Sequence, residues 1–160
     1  QNHLQGNVSS KYNIGLYYND RLVSLMTFGS LRKNMGYKNE NGKYELLRFC
    51  NKKYLNVVGG ANKLFKYFVE KYNPSEIISY SDRSWGEGKL YFKLGFNFEK
   101  NTKPNYHYVI RNYRENRFSF RKDKLIKEGY NANKTEHEIM LERGIYRIYN
   151  SGNSKFIWKK

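Results

Sequence analysis

Between a strand-like run and a helical one, Asn56-Val-Val-Gly-Gly-Ala61 sets Gly59, Gly60 and Ala61 where backbone N–H groups can approach a phosphate held at a helix N-terminus. Val58, Gly59, Gly60, Ala61, Asn62 and Lys63 are the candidate residues for a phosphate-bearing cofactor, with Lys63 as counter-charge. Glycines also sit at strand-to-helix turns for plain steric reasons, and that reading stays open. Upstream, Arg48 lies among Leu46, Leu47, Phe49 and Cys50. A guanidinium in such a run is costly unless it is paired, with Glu45 the partner at hand, or faces a cleft. Asp82 ends a second apolar run and precedes Arg83. There a carboxylate orients or deprotonates a nucleophile or, equally, caps a loop. His3, His107 and His137 are far apart, and Cys50 is the only cysteine, so the chain shows no metal-ligand spacing and no intrachain disulfide, and a reducing compartment is expected.

The elements that must position these residues follow from pattern. Asn13–Tyr18 and Leu22–Phe28 flank Asn19-Asp20 as a β-hairpin. Residues 29–42 form a polar, basic loop, and Tyr44–Cys50 is a strand. From Gly59-Gly60 a helix carries the buried stripe Leu64, Phe65, Phe68, Val69 and Tyr72 until Pro74. Ile77–Ser81 is a short buried strand, Gly86–Leu94 a short helix, and Gly95–Phe98 opens a further strand. That alternation predicts an α/β (α+β) sheet with a crossover connection. A strand follows over Tyr106–Arg111, and Thr135-Glu-His-Glu138 is a capping box for a helix reaching about Arg143. Ile145–Tyr149 and Lys155–Trp158, around Ser151-Gly152-Asn153, read as a terminal hairpin.

A length of 160 residues suits one domain with a core rich in aromatics, given 16 Tyr, 10 Phe and 2 Trp. Thirty Lys and Arg against 14 Asp and Glu give +16, spread along the chain, and such a surface seeks phosphates. Nucleic acid, as double-stranded DNA, is the expected partner. No apolar run approaches the roughly 18 residues of a membrane span. Arg111, Arg114, Arg117, Arg121 and Lys122 interleave with Tyr113, Phe118 and Phe120, while Arg32 and Lys33 lie in the basic loop. These cations are candidates for phosphate, and Trp85, between Ser84 and Gly86, is a candidate for base stacking. The competing reading is a solvated helix face with Phe118 and Phe120 in the core.

Two segments carry a resemblance. Asn56-x-x-Gly59-x-Ala61 is similar to the pyrophosphate loop of the GNAT (N-acetyltransferase-like) superfamily, Gln/Arg-x-x-Gly-x-Gly/Ala, and departs from it at the first position. Tyr91-Phe-Lys-Leu-Gly95-Phe96 resembles the superfamily's second signature. Together with the hairpin and the strand before them, these cover about residues 13–108. Asn2-His3-Leu4-Gln5-Gly6, Leu46-Leu47-Arg48, Gly60–Leu64 and Ser79-Tyr80-Ser81-Asp82 further resemble phage Mom-type DNA-modification proteins and related domains joined to homing-endonuclease nucleases.

The resemblance implies a GNAT-like central mixed sheet flanked by helices over residues 1–110, with a basic C-terminal helix and hairpin extension over residues 111–160. Tyr44–Cys50 and Ile77–Ser81 would then be parallel neighbours that splay beside Gly59-Gly60. It implies acetyl-CoA or a related acyl-CoA as donor, Tyr91 as proton donor beside Arg48 and Asp82, and DNA bases as acceptor in the cytoplasm of a phage-infected bacterial cell. A non-catalytic DNA-targeting module, joined to a nuclease domain in the same longer polypeptide, is the alternative it implies.

Overall fold

In a computed structural model, which describes residues 8–32, 36 and 40–160, the hairpin comes first: β1 (Tyr12–Tyr18) turns into β2 (Arg21–Ser30). Asn19 and Asp20 both take left-handed φ values, 45° and 57°, which match a two-residue turn to the twist of the strands. β3 (Lys43–Asn51) pairs antiparallel with β2, and α1 (Gly60–Tyr72) crosses over to β4 (Glu76–Asp82), which lies parallel to β3. The short α2 (Lys89–Lys93) leads into β5 (Asn97–Asn101). A last strand, β9 (Asn153–Lys159), lies between β4 and β5.

The resulting six-stranded sheet has the order β1-β2-β3-β4-β9-β5 and is antiparallel throughout except at β3–β4. This is the expected α+β class, a central mixed sheet flanked by helices. α1 supplies Leu64, Phe65 and Phe68 to a core that includes Met26, Phe28, Leu46, Ile77 and Phe156. Phe68 stacks on Phe28 and meets Tyr44 edge-on, so the stripe read from the sequence is the face that buries. No helix among the described residues is long and apolar enough to cross a membrane.

Two expectations need correction. Ile145–Tyr149 and Lys155–Trp158 are not a hairpin: β8 (Tyr146–Tyr149) pairs with β6 (Tyr106–Ile110), while β9 pairs with β4 and β5. The turn glycine is real, with Gly152 at φ 75°, but the consecutive residues Lys155 and Phe156 are both buried, as in a central strand. Lys155 meets that burial by pairing with Glu99 at 2.6 Å. The basic segment is accordingly no C-terminal extension beginning at residue 111. The chain divides into Gln1–Asn101 with Asn153–Lys160, and Thr102–Gly152, so the second unit is an insertion between β5 and β9 that already contains β6.

That unit has a three-stranded sheet, β7 (Tyr113–Asn116), β6 and β8, a 3-10 turn over Arg117–Phe120, α3 (Lys122–Lys127) and α4 (Glu136–Glu142). Tyr108, Leu125, Ile139 and Met140 form its core. The capping box is present: Glu138 N–H donates to Thr135 Oγ1 at 3.2 Å, and Thr135 N–H donates to Glu138 Oε2 at 2.6 Å. Glu136 accepts from the hydroxyls of Tyr106 and Tyr108 at 2.9 and 2.8 Å, and Arg147 donates to Tyr108 Oη at 3.1 Å. Burial, with the Glu136 carboxylate, pushes the Tyr108 phenol up to about 12, so it is a donor throughout the physiological range.

Gly88, just ahead of α2, has φ 74°, and a Cβ there would stand 2.3 Å from Cζ of the buried Phe156 ring. Gly88→Ala is expected to destabilise the protein by about 2–3 kcal/mol through overpacking and backbone strain together. Urea unfolding followed by tryptophan fluorescence measures it, and an unchanged midpoint would show that the helix shifts freely.

Candidate active site

The parallel ladder between β3 and β4 is short. Only Lys43↔Glu76, Tyr44↔Ile77 and Glu45↔Ile78 are paired, although the strands run on to Asn51 and Asp82. On its other side β3 is irregular: Thr27 faces Arg48 and Phe28 faces Leu46, which leaves Leu47 as an extra residue, and a bulge of this kind bends a strand. The two strands, parallel neighbours as expected, therefore part beyond Glu45↔Ile78.

Side chains bind the backbone where the ladder has stopped. Ser79 Oγ donates to the Leu46 carbonyl at 2.8 Å, Arg48 donates to the Leu47 carbonyl at 2.8 Å, and Tyr91 Oη donates to the Tyr80 carbonyl at 3.2 Å. The fork opens into a cleft of about 610 Å³ lined by β3 at Leu47–Phe49, by β4 at Tyr80–Asp82, and by the segment from Trp85 to Tyr91. Arg48, Asp82 and Tyr91 thus line one cleft. Trp85 stands at it too, 72% exposed.

Each of the three has a defined state. Arg48 is not paired by Glu45: that carboxylate, 3% exposed, is held by Arg32 through Nε at 2.9 Å and a terminal nitrogen at 2.6 Å. Arg48 Nε is buried with no hydrogen-bond partner, and burial, with the Arg32 charge, lowers its pKa. Tyr91 stacks on Phe156 and meets Phe96 edge-on, and burial raises its pKa, which keeps the phenol protonated. Asp82 caps its own turn: Oδ1 accepts from Ser84 N–H at 2.9 Å, and its carbonyl accepts from Trp85 and Gly86 N–H.

At the N-terminus of α1, Gly59 has φ 73°, no side chain caps the helix, and its first turn holds no acidic residue. A Cβ at Gly59 would meet open space, whereas at Gly60 it would stand 2.9 Å from Val57 Cγ1 and 3.2 Å from Ser24 Oγ. Gly60 thus serves packing and Gly59 leaves an approach open. Val58, Asn62 and Lys63 are exposed, and Ala61 is half-buried.

Of the expected nucleic-acid residues, Arg32 lies against Glu45 and over the Tyr80 ring, while Lys33 and the segment Asn2–Gly6, with His3, lie outside the described residues. Apart from Trp85 at the cleft, the others fall in the inserted unit. Arg111 turns the chain between β6 and β7 at φ 53°, Arg114 is exposed on β7, and Lys122 opens α3. Arg117 lies over the Tyr106 ring, and Arg121 pairs with Asp123 at 3.3 Å. No long helix face exists here. Phe120 packs on the core beside Tyr108, whereas Phe118 and Tyr113 are exposed. The Glu45–Arg32 pair was not singled out from the sequence; an acid inside an apolar strand run was the available signal.

Burial is the largest influence on Glu45 and holds its carboxyl above the ordinary value of 4.5, against the opposing pull of Arg32 and Arg48. From pH 4.5 up to the folded value, the folded protein keeps a proton that the unfolded chain has released. The contribution of Glu45 to stability therefore falls as pH rises through that window. Glu45→Gln, neutral and of the same shape, is expected to flatten the decline, measured as the urea midpoint against pH. An identical slope in the variant would assign the decline to other carboxylates.

No protein-family model matches the sequence, and no curated protein matches it. Among solved structures, an acetyltransferase of Bacillus subtilis in complex with CoA is similar at 16% identity, over 90% of this chain and 73% of that one, with a TM-score of 0.49.

Proposed function

We propose that the chain is an acyl-CoA-dependent transferase that works in the β3–β4 fork and modifies nucleic acid. One observation carries the reading: the parallel pair stops after three residue pairs and opens into a cleft lined together by Arg48, Asp82 and Tyr91. The residues present fit a phosphate-bearing acyl carrier. β3 beyond Glu45 has no ladder partner on β4, the α1 N-terminus is free of acid and open at Gly59, and Lys63 is exposed in its first turn.

Acyl-CoA, when bound, supplies a thioester carbonyl open to attack by an amine. Arg48, which lines the cleft, offers its positive charge to negative charge developing there, where low dielectric strengthens it. Tyr91, kept protonated by burial, serves as the proton donor to a leaving thiolate. Asp82, already anchored to Ser84, orients the incoming amine. The resemblance to phage Mom-type proteins supports DNA bases as acceptor and the infected bacterial cytoplasm as the setting, and a charge of +16 supports a polyanion. The second reading, a non-catalytic targeting module of a larger phage nuclease, is favoured by the capping role of Asp82 and by Asn56 standing where the similar loop has Gln or Arg.

Thermal-shift titration separates the two. Millimolar CoA and acetyl-CoA are expected to raise the melting temperature, because a ligand at 100 times its Kd adds about 2.7 kcal/mol to the folded state. Lys63→Glu should weaken that shift without altering the unliganded protein. Tyr91→Phe should preserve it while cutting thiol release from acetyl-CoA in the presence of DNA by about 100-fold. No shift at millimolar ligand, alongside tight DNA binding, favours the targeting module.

Binding to duplex DNA is expected to weaken with salt at a log–log slope of about −5 to −7, the response of six to eight phosphate contacts. Replacing Arg114, Arg117 and Arg121 together by Gln should reduce the slope by about 1 for each arginine that contacts phosphate, equally on all sequences. Fluorescence anisotropy over a salt series measures this, and a slope untouched by the triple change would remove the inserted unit from the interface.

A further inference from the structure

The end of the main sheet at which the fork opens has a surface the proposed chemistry does not use. β3 and β4 are parallel, so Asn51 and Asp82 finish at the same end, and the β1–β2 turn lies there too because Ser24 on β2 pairs with Asn51. The loop after β3 is fastened to this end: Lys52 N–H donates to the Val23 carbonyl at 2.8 Å, and Leu55 N–H donates to the Lys52 carbonyl at 3.0 Å. Tyr54 is 91% exposed and Tyr18 70%, with Tyr17 and Leu22 also exposed on the hairpin. Tyr54 is held at φ 67°, a strained conformation for a tyrosine, with Lys53 Nζ 4.8 Å from its ring centroid.

Exposed rings gathered at one edge signal a partner more than a folding need. The charge around them says which kind. Arg21, Lys52 and Lys53 are exposed beside the rings, Asp20 is the acid in the turn, and the chain carries no acidic residue from Leu46 to Val69. Rings accept bases by stacking whatever the sequence, and cations that lack acidic neighbours accept phosphates.

We propose that this end of the sheet docks a single-stranded nucleic acid, with Tyr54 and Tyr18 stacking on bases and Arg21, Lys52 and Lys53 taking phosphates. Such a strand lies where the cleft between β3 and β4 opens, so an unstacked base next to the docked ones is delivered to Arg48, Asp82 and Tyr91. The inference rests on the reading that the acceptor is a nucleic acid, and it adds the surface and the strand state that reading lacks.

The test is anisotropy of a labelled oligothymidylate with the parent protein, with Tyr18→Ser/Tyr54→Asn, and with Lys52→Ala/Lys53→Ala. Asn is chosen because it tolerates a left-handed backbone. Both variants should melt within a few degrees of the parent. The tyrosine variant is expected to bind about five- to a hundred-fold more weakly for each stacked base lost, at an unchanged salt slope. The lysine variant should lose about 0.7 of the slope for each phosphate contact removed. Equal binding by parent and tyrosine variant overturns this docking surface and leaves the acceptor reading standing, whereas no binding of nucleic acid by the parent removes both. If the tyrosine variant also loses the CoA-induced thermal shift, the rings belong to the coenzyme site and the proposal falls. It falls equally if the variant loses binding only to vesicles of anionic phospholipid, or only self-association in sedimentation.

Discussion

The fold of the larger unit turns on backbone hydrogen bonds that β3 and β4 do not make. A parallel pair inside a sheet would ordinarily close its ladder along the full length, because an unpaired backbone group away from water costs as much as a lost hydrogen bond. Here the ladder stops at Glu45↔Ile78. Ser79, Arg48 and Tyr91 each donate to a carbonyl of the fork, at Leu46, Leu47 and Tyr80. Two of the side chains proposed for chemistry, Arg48 and Tyr91, are therefore also used to satisfy backbone carbonyls at the fork. The bidentate Arg32–Glu45 pair sits at the last ladder position, where the separation begins. A buried carboxylate left without that arginine would be strongly destabilising, so the pair specifies geometry more than it adds net stability.

Local features of the fold were legible in the sequence. The hairpin around Asn19-Asp20, the Leu64–Phe65–Phe68 stripe and the Thr135–Glu138 capping box each depend on residues within one or two turns of chain. The fork was anticipated through the resemblance, and Arg48, Asp82 and Tyr91 do share a cleft. What escaped was decided by distant partners. β9 looks like half of a hairpin because Gly152 turns the chain ahead of it, yet its neighbours β4 and β5 lie more than fifty residues upstream. The choice between the two pairings is made by burial of Lys155 and Phe156, and no periodicity in seven residues records it. Arg32 escaped for the same reason: its partner is across a loop, and a basic loop reads as a ligand-facing one until the buried acid is seen.

The inserted unit shows how a small basic segment builds a core without many aliphatic residues. Tyr108 is fully buried and its hydroxyl is satisfied twice, by Glu136 and by Arg147, which also lies 4.1 Å from the Tyr106 ring centroid. Two tyrosines, one carboxylate and one guanidinium thereby do the work of an aliphatic layer while leaving no hydroxyl unpaired. Arg117 and Arg143 lie over rings in the same way. Basic residues in this unit are consequently of two kinds, those laid on aromatic faces as packing and those, such as Arg114, carried on exposed strand positions.

That division bears on where the charge of +16 resides. Several acids are used within the fold: Glu45 on Arg32, Glu99 on Lys155, and Glu136 on Arg147 and two tyrosines. Each such pair neutralises one cation, so the excess positive charge is left to cations without an acid beside them. A compact state with that excess is opposed by its own repulsion, which salt screens and a bound polyanion relieves more completely. The aromatic end of the main sheet carries Arg21, Lys52 and Lys53 with one acid in the turn beside them, so relief there requires a ligand that brings phosphates. A neutral apolar partner would cover Tyr54 and Tyr18 but desolvate these cations without compensation, at a cost that grows with how completely the surface is buried. Bases joined by phosphates satisfy both kinds of group at once, and that is the physical ground for choosing nucleic acid over other occupants of this surface.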